Sequence, residues 1–299
     1  MQTVSREDFS PPLAQGQRDA LISLLADDDP AIYQAIRQRL LTYGATASEW
    51  LRPHTLSDDP VMRRRAQEII RFWGRQVSDI RLLAFCRQQG EELDLELATL
   101  LLAQTEYPET NLEAYKALFD EWAGVLRQRL EQPAPGEKLL EVLNQYFFTE
   151  LGFAGSEEFP YDPQCSYLNR VVDRRTGNPV NLCAVYLFLT RRLRLPVTGI
   201  ALASHFLCRY QSSTQEVYID IFRGGTLLTK AECVRHLLRN QHAVRTGALK
   251  PVSARRVFLR MCANLHRTYA HLEMTEEAAR VHRYLLALTR QMGSRASSV

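Results

Sequence analysis

The chain has 299 residues, 45% hydrophobic and 24% charged, with 37 basic against 34 acidic side chains and a formal net charge of +3. This is the composition of an ordinary globular protein, long enough for two or three modest domains, and the balance of charge gives no sign of a nucleic-acid partner. The longest apolar run, residues 182–189, falls far short of the about 20 residues that span a bilayer.

The N-terminus lacks the basic and apolar regions of a signal peptide, so a cytosolic protein with no membrane partner is expected. Its cysteines (Cys86, Cys165, Cys183, Cys208, Cys233, Cys262) are scattered without a CxxC pair. In a reducing compartment they are expected to stay free thiols, with no structural zinc site and no cofactor.

The first region, residues 1–90, reads as helical and contains an internal echo. Asp28-Asp29-Pro30 recurs as Asp58-Asp59-Pro60, and each opens a helical pattern that closes on a glycine, Gly44 and Gly74, at the same offset. Asp before Pro supplies an N-cap and a pre-set first helical residue, and the later Gly permits a left-handed C-cap. Ile32, Ile36 and Leu40 mark the apolar face of one copy; Met62, Ala66, Ile69, Ile70 and Trp73 mark that of the other. Leu21 to Ala26 supplies a partner helix before the first copy. A repeated helical pair of this kind suggests a HEAT-like solenoid. Arg63-Arg64-Arg65 reads as a solvated helix face.

Residues 91–152 form a second helical stretch. A helix is expected over Ser78 to Gln89, still in the first region, and in the second over Leu93 to Gln104, Leu112 to Leu130 and Lys138 to Leu151. Residues 132–136, rich in proline, make the best linker-like break in the chain. After Gly152 the pattern changes. Loop-rich sequence runs to Pro179, then one strongly apolar helix to about Leu193. Strands follow over Val197 to Leu202, His205 to Tyr210 and Val217 to Ile221. Residues 229–240 again look helical. The core is therefore drawn at 153–250. Over 251–299 a helical hairpin follows, tetratricopeptide-like, with Val257, Met261, Leu265 and Tyr269 on one face and Ala278, Val281, Leu285 and Leu288 on the next, and a disordered tail after Met292.

The core carries a Cys–His–Asp series. A cysteine nucleophile works as a thiolate, activated where a helix N-terminus and a nearby imidazolium lower its pKa. Transglutaminases and papain-like enzymes place it in the first turn of a buried helix. A strand histidine acts as base there, and an Asp or Asn on the adjacent strand fixes its tautomer. Here the helix begins at Asn178-Pro179, with His205 on one strand and Asp220 on the next. Alternation puts Cys208 on the opposite face from His205.

The stretch Tyr161-Asp162-Pro163-Gln164-Cys165-Ser166-Tyr167-Leu168-Asn169, then Asp173-Arg174-Arg175-Thr176-Gly177-Asn178-Pro179, then His205-Phe206-Leu207 and Asp220-Ile221-Phe222-Arg223-Gly224-Gly225 resembles the SirB-type transglutaminase-like proteins of bacteria. The resemblance covers residues 95 to 290. Cys165 stands for that family's usual Asn, Ala203-Ser204 for Pro-Gly, Ile221 for Pro and Arg194 for Gly. It implies an α+β fold, predominantly α. A HEAT-like helical N-terminal region leads to a transglutaminase/papain-like core with a small antiparallel sheet, and a C-terminal helical hairpin follows.

It also implies a defect. Counting back from Leu195-Pro196, the nucleophile position of an active transglutaminase falls on Pro179, which cannot attack. Cys183 lies one turn further in, past the free N–H groups that stabilise a thiolate. Its expected role is a small core residue. The expected function is a non-catalytic, degenerate transglutaminase-like protein that binds a protein or peptide. The alternative is a cysteine-dependent hydrolase or acyltransferase using Cys183, His205 and Asp220. Asn169, Arg175, Asn178 and Asn181 are candidate cleft residues, each with bracing of the loop as its competing role. His266, His271 and His282 suggest no ligand set.

Overall fold

The fold is α+β and mostly helical in a computed structural model that describes residues 13–130, 136–157, 161–202, 205–239 and 248–293. The proline-rich break, save Gly136, lies outside the described residues, as do Ala203-Ser204 and the tail beyond residue 293. The chain divides into two units: residues 1–80 with 104–109, and residues 81–103 with 110–299.

In the first unit the echo in the sequence is an echo in structure. Helix α1 (Gln15–Ser23) tightens into a 3₁₀ turn, and α2 (Pro30–Leu41) follows. Then α3 (Ala45–Leu51) tightens likewise, and α4 (Pro60–Gln88) follows. The Asp29 and Asp59 carboxylates each accept the N–H of the second helical residue, Ala31 and Val61, at 2.8 Å. Each cap stabilises its helix by about 1 kcal/mol. Leu25, Leu40, Ala47, Leu51, Ala66 and Ile69 join both copies in one core.

The matching ends do not recur. Gly44 turns the chain with φ at 59°, but α4 runs straight through Gly74 to Gln88 and absorbs the helix expected from Ser78. Gly74 has a different reason for being there. A Cβ on it would lie 2.7 Å from the Pro108 side chain, so glycine lets the 104–109 segment lie against the helix. Arg65 is not a solvated charge either. Its guanidinium donates to the Leu25 and Asp27 carbonyls at 2.9 and 2.6 Å and stacks over Tyr33, tying the second copy to the first.

The second unit is built around α9 (Pro179–Arg192), whose residues are almost all buried. Before it come α5 (Leu95–Gln104), α6 (Leu112–Arg129) and α7 (Gly136–Asn144), the last continuing into a π-helical turn. Next are β1 (Ala154–Gly155), α8 (Leu168–Arg174) and β2 (Thr176–Gly177), with β1 and β2 paired in parallel. After α9, strands β3 (Val197–Ala201), β4 (Phe206–Gln211), β5 (Glu216–Asp220) and β6 (Thr226–Leu228) form an antiparallel sheet in sequential order. Helices α10 (Lys230–Arg239), α11 (Ala254–His271) and α12 (Thr275–Gly293) complete the unit. The parallel pair and β6 are additions to the strands expected from the sequence.

Alternation divides the sheet. Phe206 and Cys208 face α9, where the Cys208 thiol reaches the Cys183 carbonyl at 3.9 Å and the Phe206 ring lies under Gly199 beside Leu187. Leu207 and Tyr218 face the other way and pack with Ile200, Leu202, Cys233 and Leu237 of α10. Two polar ties fix α9. At its C-terminal end Arg192 grips the buried Glu96 carboxylate with two bonds of 2.6 and 2.8 Å. At mid-helix the Tyr186 hydroxyl donates to Asn144, whose amide donates to the Gly225 carbonyl.

Candidate functional site

Helix α9 starts where Asn178 and Pro179 dictate. The Asn178 side chain accepts the Asn181 N–H at 3.1 Å and is the N-cap, and Pro179 occupies the first helical position. That position needs no N–H and favours a fixed φ, which is what proline supplies. Cys183 is then a full turn inside. It is completely buried, and its thiol donates to the Phe206 carbonyl at 3.5 Å. Burial, reinforced by the Cys208 thiol and Asp220, holds its pKa well above the ordinary thiol range.

The base half of the series is assembled. His205 immediately precedes β4, and its carbonyl accepts the Leu202 N–H at 3.0 Å. Asp220 ends β5. The His205 Nε2 lies 2.8 Å from the Asp220 Oδ1, and the same carboxylate oxygen accepts the Arg223 N–H. Both side chains lie mostly buried on the α10 face of the sheet, 13% and 5% exposed. They line a cavity of about 340 Å³ with Leu207, Arg223, Glu232, Cys233 and Arg235. The loop after Asp220 is shaped by Gly224 and Gly225, both at positive φ. At Gly225 a Cβ would lie 2.3 Å from the Phe148 ring.

Of the three residues of the candidate triad, the structure brings His205 and Asp220 together. It turns Cys183 to the opposite face of the sheet, toward a main-chain carbonyl. Cys233 is the cysteine that shares the cavity with the pair. It is fully buried, and burial with Glu232 and Asp220 pushes its thiol up to about 11.

A second cavity, of about 330 Å³, lies at the start of α9. Asn178, Pro179, Cys165, Ser166, Tyr161 and Asp162 line it from the loop side; Asn264, Arg267 and Thr268 of α11 line it from the other. Phe222 belongs to both neighbourhoods. It lines this second cavity, and its ring meets the His205 imidazole edge-on with centroids 5.9 Å apart. Phe222 is fixed from behind by Gly155, where a Cβ would come within 2.6 Å of its carbonyl.

Among the candidate cleft residues, Asn178 lines a cavity and the others are held elsewhere. Asn181 is fully buried and donates to Asn178. Asn169 is buried in α8. Arg175 takes a left-handed conformation at the end of α8 and lays its guanidinium over Trp122 and Phe153. Of the other histidines, His271 stacks on Tyr161 at 3.6 Å, and His266 lies against His282. No group of three or more His, Cys, Asp or Glu suited to a metal is found among the described residues. No described helix is long and apolar enough to cross a membrane.

The residues missed from the sequence are Phe222, Ser166, Arg267 and Thr268. The last two had a signal. Asn264, Arg267 and Thr268 form a polar stripe at i, i+3 and i+4 on a helix whose other face is apolar.

A helix-first thiol-site scaffold with a sheet-borne His–Asp pair defines a transglutaminase-like core. The comparisons with known proteins agree. The family model described as the transglutaminase-like superfamily matches residues 113–263. A UPF0162 protein of Xylella fastidiosa is 32% identical over 209 residues, covering 66% of this chain and 73% of that protein. Protein SirB1 of Salmonella typhimurium is 30% identical over 102 residues, 34% of this chain and 38% of that one. The human F-box only protein 21 is 33% identical over 137 residues, 43% of this chain and 21% of that one. No solved structure matches. The chain belongs to the SirB-type transglutaminase-like family.

Proposed function

We propose that this protein is a degenerate transglutaminase-like module that binds a peptide segment of a protein partner and does not transfer its acyl group. The observation that carries the reading is at the start of α9. Pro179 occupies the position a nucleophile needs, and Cys183, the next candidate on the same side of the helix, is buried with its proton committed to the Phe206 carbonyl. A protonated thiol with no access for substrate cannot open acyl transfer. The His205–Asp220 pair is then a retained structural and binding element. The repeated helical unit of the first region, read as HEAT-like, and the α11–α12 hairpin, read as tetratricopeptide-like, supply further partner surface in a cytosolic protein.

The test is turnover. Wild-type protein is incubated with a glutamine-containing peptide and a fluorescent primary amine, and amine incorporation and ammonia release are followed. Neither is expected above the uncatalysed background. Incorporation that disappears in a Cys183→Ser variant would overturn the reading in favour of an enzyme.

A further inference from the structure

The cavity at the start of α9 is rich in donors that have nothing to donate to. Ser166 is 3% exposed. Its Oγ accepts from the Asn178 amide at 3.0 Å, which leaves its own O–H proton without an acceptor among the described residues. Thr268 is 8% exposed, and its hydroxyl has no partner of either kind among the described residues, not even the carbonyl one turn back that helical threonines often use. Both side chains line the cavity. Both hydroxyls border the cavity with a proton free for a ligand acceptor.

The charge around them has one sign. Arg267 lines the same cavity, and its guanidinium donates at 2.9 Å to the neutral Asn264 side chain, with no carboxylate partner among the described residues. The acidic residue in the lining, Asp162, is already neutralised by Arg174 at 2.5 Å. The start of α9 adds its partial positive charge to that of Arg267. Beside Ser156, Cys165 and Asn178, the residues Tyr161, Phe222 and Pro179 give the lining an apolar and aromatic part. One uncompensated cation, idle hydroxyl donors and an apolar wall suit a singly charged group on a short hydrocarbon stem.

We propose that this cavity is a carboxylate-binding subsite that takes a glutamate side chain of the bound peptide. The assignment rests on the reading of the cleft as a binding site for peptide. It goes further in fixing the chemistry of one subsite. A glutamate carboxylate accepts from Ser166, Thr268 and Arg267, and its methylenes lie along Phe222 and Pro179. A glutamine in the same place presents one acceptor instead of two and carries no charge, and its amide N–H groups meet donors.

The experiment follows the backbone amide resonances of Ser166, Val180 and Thr268 in the full chain. Four probes are titrated: N-acetylglutamate α-amide, N-acetylglutamine α-amide, sodium acetate and inorganic phosphate. The glutamate probe is expected to shift these resonances saturably at millimolar concentration, with the glutamine probe about tenfold weaker or more, the ratio expected for loss of a charge-assisted contact. Arg267→Met is expected to weaken the glutamate probe by about tenfold or more, and an Arg256→Met control is not. Thr268→Val is a second variant; should it fail to fold, the exposed Arg267 still decides the matter.

Equal binding of the glutamine and glutamate probes would overturn the carboxylate assignment and leave peptide binding standing. Acetate binding as tightly as the glutamate probe would overturn the peptide source, because the cavity would then be a free-anion site. Phosphate binding more tightly than either would overturn the carboxylate class. No shift with any probe would overturn the subsite itself. The parent reading has its own readout in the same tubes. Conversion of the glutamine probe to the glutamate probe, with water supplying the carboxylate oxygen and the amide nitrogen leaving as ammonia, would show catalysis whatever the affinities.

Discussion

The sheet end and the helix end of the transglutaminase-like core differ sharply in this chain. On the sheet, His205 and Asp220 keep a 2.8 Å contact, a shared cavity and a loop held open by two glycines. At the helix, Pro179 takes the first position, and the Cys183 thiol one turn on is sealed against a carbonyl. The difference teaches that the base half has structural work of its own. Asp220 also accepts the Arg223 N–H and so forms the turn that carries Phe222 between the two cavities. On the proposed reading the helix end has no such second role, and proline satisfies the helix start better than cysteine would.

The sharpest way to break the comparison is to restore the missing half. A Pro179→Cys substitution puts a thiol in the first turn of α9, where the helix field lowers thiol pKa. We expect it to be alkylated by iodoacetamide at neutral pH about 100-fold faster than Cys183 in the wild type. A thiol there with the reactivity of an ordinary exposed cysteine would mean that the helix start has lost its activating field, and that both halves have decayed.

The next effect is on stability. Asp220→Ala removes the carboxylate oxygen that the mostly buried His205 imidazole and the Arg223 N–H share. We expect a loss of about 2–3 kcal/mol in urea unfolding. A loss below about 0.5 kcal/mol, the range of ordinary surface changes, would leave the pair without the structural role assigned to it.

In the first unit, Gly74→Ala tests whether the glycine is there for the Pro108 contact or for chain flexibility. In a free helix the change would stabilise by about 0.8–1 kcal/mol. With a Cβ placed 2.7 Å from Pro108, we expect net destabilisation of about 1 kcal/mol. Measured stabilisation would show that the 104–109 segment yields.

The smallest expected effect is alkaline. The Cys233 thiol stands at about 11 and the Cys86 thiol at about 12, both raised by burial from an ordinary value of 9.0. Between pH 9 and 11 the unfolded chain has released the Cys233 proton and the folded one has not. Stability is therefore whole below pH 9 and falls as pH rises through that window. A Cys233→Ala variant should show a shallower decline, read as Tm against pH.

What was legible in the sequence was what neighbouring residues decide. Asp-Pro placed the starts of α2 and α4, and Asn178-Pro179 that of α9, because caps are local. Strand alternation put His205 and Asp220 on one face and Cys208 on the other. What was not legible depended on distant partners. Nothing near Gly74 says that Pro108 will lie against it. The two-residue strands β1 and β2 are too short to carry a pattern. Ser166 stood in plain view inside the Tyr161–Asn169 stretch, but the cavity it shares with Arg267 and Thr268 forms only once α11 is in place.

The most direct test is site-resolved labelling of the native protein with iodoacetamide over a pH series, with mass spectrometry to locate the modified cysteine. The account predicts that Cys183 stays unlabelled at neutral pH and reacts only as the fold opens at high pH. Fast labelling of Cys183 below pH 7 that vanishes in a His205→Ala variant would reveal a thiolate–imidazolium pair and contradict it.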